Sequence, residues 1–400
     1  MNETAFFAHR VLLRAGLSIA NVFAWIFLFE YFSLLSGSAV RAFAGSALLY
    51  ALAQLIALVA TPVSAAHLTR GVKHSLIWGS VFAAAAFVFL GGTLVGYFGP
   101  REVSPESANG VAWGFIAFAV LLGSYRALYW VPYARVQGEI KSHLHMRAYL
   151  EVLVALMPLF AGVTIVFVPF APPKLLFGSA ALIALSILPA LFLGDTRERF
   201  SWSYAYTLRQ LLRRKNHGLV LQSLLDGLQG AALFLVWPLT ILLIVERSFF
   251  FLGLIFSLTL LFILLLRKSY RYLQEVIGLR DSTIVHVVLV ISGWVARLAA
   301  GTPVGIIIAD VYSHTMQPER RSMIDPFSYE HASDRGAFID EYTVLKEIAL
   351  ALGKIMLCVV IFLLTFIFSL PLVLTVALLV AGLASAVSVI LAQRLAPASY

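Results

Sequence analysis

Hydrophobic positions along the chain fall into long, unbroken runs, with polar residues gathered in the short stretches between them. Twelve runs can be read, at about 11–35, 40–63, 75–98, 110–134, 147–170, 174–194, 218–243, 248–266, 282–298, 301–315, 342–368 and 371–393. A bilayer core ~30 Å thick is crossed by roughly 20 apolar residues in helical form. A helix satisfies its own backbone polar groups in lipid, so helical spans are expected. A β-barrel would instead show alternating segments of about ten residues. The ninth and tenth runs are split at Gly301-Thr302-Pro303. Two short spans with a tight turn are expected there, one kinked span plus a partial one being the alternative. Leu370-Pro371 separates the last two, because proline breaks a helix interior.

The polar stretches carry the topology. Of the 29 Lys and Arg, 22 fall in one alternate set of loops and tails, including Arg10, Arg14, Arg70, Lys73, Arg135, Lys141, Arg147 and Arg394. Four fall in the opposite set: Arg41, Arg101, Lys174 and Arg247. This is the positive-inside asymmetry. It predicts an even number of spans with both termini in the cytoplasm, and a bacterial inner membrane as the location. The basic N-terminal stretch reads as leading into an uncleaved first span.

Composition agrees. The 400 residues are 61% hydrophobic and only 12% charged, where a soluble domain is about 25% charged. That excludes a cytosolic enzyme, a nucleic-acid binder or a secreted domain as a reading of the whole chain. The net charge of +9 is mostly topological, so no nucleic-acid partner is needed to explain it. The lone Cys358 excludes an intrachain disulfide and any CxxC site.

Six runs precede residue 195 and six follow 217. The chain therefore divides into an N-terminal half (1–194), a linker (195–217) and a C-terminal half (218–400). The linker mixes Trp202, Tyr204, Tyr206 and Leu208 with Arg209, Arg213, Arg214 and Lys215. It fits a short helix on the membrane surface, a solvated connector being equally compatible.

Three stretches resemble a family. Leu68-Thr69-Arg70-Gly71-Val72-Lys73-His74 resembles a degenerate form of the loop motif of the major facilitator superfamily, with Thr69 where that motif has an acid. The stretches Ser124–Tyr133 and Glu341–Lys354 resemble a bacterial branch of the same superfamily. The resemblance implies an all-α, twelve-helix 6+6 transmembrane bundle whose halves rock about a midplane cavity. It also implies secondary transport by alternating access, with no cofactor and as a monomer.

Ionisable residues inside spans are costly and are functional candidates. Arg126 lies deep in the fourth run, with Tyr129, Trp130 and Tyr133 at helical spacing. An arginine beside aromatics suits an anionic or planar solute. Asp226 lies at a similar depth in the seventh run and is expected to face Arg126 as a proton-coupling carboxylate. Gln229, one turn on, joins the proposed solute-binding set. Glu30, near the outer end of the first run, is a second proton-coupling candidate. Asp310 and Arg135 are expected at similar depth near the cytoplasmic ends of spans ten and four, where they would form a gate. Lys354 and Arg297 read as structural pairing.

No HExxH, GxSxG or Walker loop occurs, so neither an enzyme nor a metal site is expected. The partners implied are the lipid bilayer and a small anionic, amphipathic or aromatic solute. A non-transporting assembly factor or lipid-processing helper is the alternative.

Overall fold

The computed structural model describes residues 3–98, 108–139, 144–194, 200–277, 283–315 and 339–395. Arg101 and Lys141 of the charge pattern lie outside them. The described residues form twelve successive main helices. Those before the linker are α1 (Glu3–Ser36), α2 (Ala39–Ala66), α3 (Val72–Phe98), α4 (Ala108–Glu139), α5 (Leu144–Phe167) and α6 (Ala171–Leu185). The seventh, α7, is composite: His217–Ala231, a π-helical turn Ala232–Val236, and Trp237–Ile244. Then come α8 (Phe249–Ile277), α9 (Thr283–Ala299), α10 (Pro303–Thr315), α11 (Ile339–Leu364) and α12 (Leu370–Leu395).

Ten of these are long and apolar enough to cross a membrane. The other two are α9 and α10, the two short runs. They are separate helices, and the turn between them is built by Thr302 and Pro303. The Thr302 hydroxyl accepts the Gly305 amide at 3.1 Å, which caps the new helix. Proline suits the first helical position because its missing N–H is not needed there.

Burial inverts the pattern of a soluble protein. Trp113, Phe167, Phe192 and Phe366 are exposed, while His9, Gln54, Arg297, Asp310 and Lys354 are buried. A chain whose outer surface meets lipid has no reason to hide its apolar side chains.

Helices on each side of the linker pack mainly among themselves, as α3 does on α4 and α12 on α9. Two long interfaces cross the divide: α5 on α8, and α2 on α11. At α5–α8 the Leu159 amide donates to the Ser257 hydroxyl at 2.9 Å. Within the second group, α7 and α11 cross closely. A Cβ on Gly227 would collide with the Leu350 carbonyl oxygen, and one on Gly353 with the Leu224 carbonyl oxygen. Glycine at both positions is what lets the two backbones touch.

The π-turn in α7 has a local cause. Pro238 cannot donate to the carbonyl four residues back, and its ring crowds that turn, so the ladder loosens across Ala232–Val236.

The linker contains the short surface helix, Tyr204–Leu211, capped by the Ser203 hydroxyl accepting from the Tyr206 amide. It is fastened to the start of α11. The Ser201 amide and hydroxyl both donate to Glu341, at 2.8 and 2.6 Å. The Trp202 ring meets Tyr342 edge-on at 5.3 Å.

Candidate functional site

Near the midpoints of their helices, residues from both sides of the linker converge. Arg126 lies on α4 and is only partly buried. Its guanidinium is within hydrogen-bonding reach of the Tyr50 hydroxyl on α2. Tyr50 is set by packing: its ring meets Trp25 of α1 edge-on at 5.0 Å and Phe234 of the α7 π-turn at 5.8 Å. The π-turn thus presents Phe234 to the opposite half. From α11 comes Lys354, 9% exposed. Its Cε lies 3.7 Å from where a Cβ on Gly230 would sit, so the side chain runs along α7 where glycine leaves room. Cys358, one turn further along α11, is buried.

The aromatic set beside Arg126 is partly different from the expectation. Tyr125, Tyr129 and Tyr133 recur every four residues and form one stripe, with Tyr125–Tyr129 and Tyr129–Tyr133 ring centroids 5.5 and 5.4 Å apart. Tyr129 and Tyr133 are 2% and 4% exposed. They are closed in by α1: Phe6 stacks on Tyr133 at 5.9 Å, and the Arg10 guanidinium lies 5.8 Å from the Tyr133 ring centre. Both tyrosines therefore belong to helix packing and are not open to a solute. Trp130 is partly buried and packs edge-on against both.

Behind the stripe sits His9, fully buried. Its Nδ1 donates to the Ser186 carbonyl at 2.8 Å, since a carbonyl can only accept. Its Nε2 lies 3.1 Å from the Tyr129 hydroxyl. Nothing in the sequence marks His9, because it precedes the first apolar run. Arg10 and Arg14 count as topological charges in the sequence, yet they lie one turn apart on α1, close enough to the tyrosine stripe for Tyr129 to sense both charges.

The carboxylates separate into different environments. Asp226 accepts the Ser388 hydroxyl of α12 at 2.9 Å, which turns one of its oxygens toward α12. Gln229 is buried on the same helix. Glu30, on α1, pairs with Arg247 of the α7–α8 turn at 3.2 Å. That turn holds Glu246 and Arg247 at φ 53° and 62°, a left-handed conformation that costs about 1–3 kcal/mol per non-glycine residue.

Asp310 is placed otherwise than the sequence suggests. One of its oxygens accepts Arg297 Nε at 2.7 Å and the other accepts Trp237 Nε1 at 2.8 Å. The Arg297 guanidinium lies 4.9 Å from the Trp294 ring centre and 5.9 Å from that of Trp237. Asp310 is seven residues into α10, about 10 Å from the α9–α10 turn at 1.5 Å per residue. Asp310 is therefore engaged by Arg297 and Trp237. The Arg135 side chain lies outside the described residues.

No protein-family model matches the sequence, and no curated relative matches it. Solved structures do resemble the chain. The inward-open conformation of the xylose transporter XylE from E. coli aligns over 98% of this chain and 96% of its own, at 11% identity and a TM-score of 0.66. A bacterial homologue of the iron transporter ferroportin, in an inward-facing state, aligns over 98% of both chains at 15% identity and a TM-score of 0.63. The nucleoside transporter NupG aligns over 99% of this chain and 98% of its own, at 13% identity and a TM-score of 0.57. At these identities the likeness shows the fold alone: a multi-pass helical bundle arranged as in these three proteins.

Proposed function

We propose that the protein is a secondary transporter that works by alternating access and moves a small anionic solute. The observation that carries this reading is Arg126, at mid-helix and partly open, beside Tyr50, whose ring meets Phe234 from the other side of the linker. A cation at that depth costs several kcal/mol unless it is paired or wetted. A solute anion would recover that cost, and an aromatic floor would accept its apolar part.

The ends of the helices supply the switch. Phe27 of α1 meets Phe249 of α8 at 5.8 Å, and Glu30 pairs with Arg247 nearby. These contacts join the halves at the end away from the termini. In alternating access they must break for that end to open, so Glu30 acts as a closing contact. Asp226, beside the α7–α11 crossing, is the proton-coupling group. The positive-inside pattern supports cytoplasmic termini in a bacterial inner membrane, and no partner beyond lipid and solute is required.

A thermal-shift screen of purified protein against anionic, neutral and cationic metabolites at two pH values tests the reading. Stabilisation by an anion in wild type, lost in Arg126→Gln, is expected. A cation or neutral solute stabilising both proteins equally would overturn it.

A further inference from the structure

Gln54 of α2 is the feature that the reading above leaves unused. It is 1% exposed, and neither its amide nitrogen nor its amide oxygen meets a hydrogen-bond partner among the described residues. No other buried side chain among those residues has two polar atoms left unmet. Its polar neighbours on the same helix are all satisfied. Ser46 and Thr61 donate to the carbonyls four residues back, at 3.0 and 2.6 Å, and Ser64 donates to the Ala127 carbonyl of α4 at 2.7 Å. A primary amide offers two donors and an acceptor, and leaving them unmet in a protein interior is unfavourable. Such a group in a native structure calls for a reason.

Its placement ties the amide to the site. Helix α2 meets α4 at Gly123, where a Cβ would collide with the Ala53 carbonyl oxygen and the Ile56 side chain. Gln54 adjoins Ala53, and Arg126 is one turn along α4 from Gly123, so both lie within a turn of one crossing. Successive helical residues point about 100° apart. That turns Gln54 off the α4 contact of Ala53 and onto the flank of Tyr50, one turn earlier. The Tyr50 ring in turn has Trp25 of α1 at 5.0 Å and Phe234 of α7 at 5.8 Å. The other long interface of α2 is with α11, across the divide between the halves. That interface has to change as the halves rock, so an amide closed in here is uncovered during the cycle.

We infer that Gln54 is a specificity-determining residue of the Arg126 site, and that the solute carries a neutral hydrogen-bonding group beside its anionic one: a hydroxy acid or an amide-bearing acid, in preference to a plain alkyl or aryl carboxylate. Arg126 holds the anionic group through its planar fork. A solute hydroxyl meets either orphaned atom of Gln54. A solute amide meets both, its N–H donating to Oε1 and its C=O accepting from Nε2. An acid without such a group leaves the amide unmet, and a site built to hydrogen-bond a polar group rejects the analogue that lacks it. The empty protein bears the unmet amide and the loaded one does not, so the solute favours the conformation that encloses it. This rests on the transport reading and deepens it, because it narrows the solute class and brings α2 into the site.

The test uses the full-length protein in detergent, with melting temperature read against matched pairs of acids: glycolate and acetate, lactate and propionate, mandelate and phenylacetate, succinamate and valerate. At least one hydroxy or amide acid should stabilise wild type saturably, at a concentration about tenfold or more below that of its plain partner. Gln54→Leu should bind the two members of that pair within about threefold of each other, and should hold the plain acid as wild type does. Its ligand-free melting temperature should match or exceed wild type, because an unmet buried amide has been removed. Gln54→Met, unbranched and adaptable in packing, should do the same, which separates the lost amide from a misfit of leucine. Both variants melting well below wild type, or either one keeping the preference, overturns the role of Gln54 and leaves the anion-transport reading standing. Pairs that stabilise wild type equally have the same consequence. No stabilisation of wild type by any anion, in these pairs or in the wider screen, overturns both.

Discussion

The Arg247 guanidinium, carried on a turn of two left-handed residues, lies 3.2 Å from the Glu30 carboxylate of α1. The backbone of that turn is strained, and what the strain secures is a contact between the halves of the molecule. Arg247 is 45% exposed, so the pair is worth only about 0–1 kcal/mol, enough to bias a two-state equilibrium by up to fivefold. Glu30→Gln is therefore expected to open that end. In a Cys358→Ala background, a cysteine placed by Phe249→Cys should react with an impermeant maleimide two to five times faster when Glu30→Gln is added. The charge swap Glu30→Arg with Arg247→Glu should restore the slow rate. An unchanged rate in Glu30→Gln means that the pair does not hold the end closed.

Arg297 and Asp310 form a different kind of pair, with both side chains almost wholly buried. Removing one partner strands a charge, which costs about 3–5 kcal/mol in a protein interior. Asp310→Leu alone should yield little folded protein by size-exclusion chromatography. Arg297→Met with Asp310→Leu should recover much of it, since an apolar pair of similar volume replaces the ions. Equal recovery of the single and double variants would show that the pair is dispensable.

The linker clasp should be separable from the site. Glu341→Ala removes the acceptor of two hydrogen bonds from Ser201 and leaves their donors to water. Hydrogen exchange across 200–211 should rise severalfold, because local opening follows the loss of local contacts. Solute binding should stay within twofold of wild type.

Proton coupling through Asp226 gives a pH signature. If transport requires the protonated carboxyl, uptake into vesicles rises as the outer pH falls and declines as it rises. Asp226→Asn, which mimics the neutral form, should show a flat profile over the same range. A pH dependence identical to wild type would remove Asp226 from the coupling step.

The pattern of runs and breakers makes the architecture legible. Twelve apolar stretches become twelve helices, and Thr302-Pro303 announces the α9–α10 turn because capping chemistry is local. Arg126 is legible too, since a charge at mid-span is expensive wherever it points. Its neighbours are not. Spacing puts Tyr129 and Tyr133 on the Arg126 side of α4, but which neighbour covers a helix face depends on tertiary packing, and α1 covers those two. The depth of Asp310 cannot be judged from the end of its apolar run; it is fixed by the α9–α10 turn and by the partners Arg297 and Trp237, which other helices bring to it. Lys354 reads as structural in the sequence because nothing there shows that α11 crosses α7 at paired glycines, the contact that brings its side chain alongside Gly230.

Solute-driven flux in proteoliposomes tests the central claim most directly. Wild-type protein, reconstituted with an imposed proton gradient, should accumulate the anion found by thermal shift, and Arg126→Gln, reconstituted at the same density, should reduce the rate by at least tenfold. Wild-type flux no greater than that of empty liposomes, or equal flux from Arg126→Gln, would contradict the account.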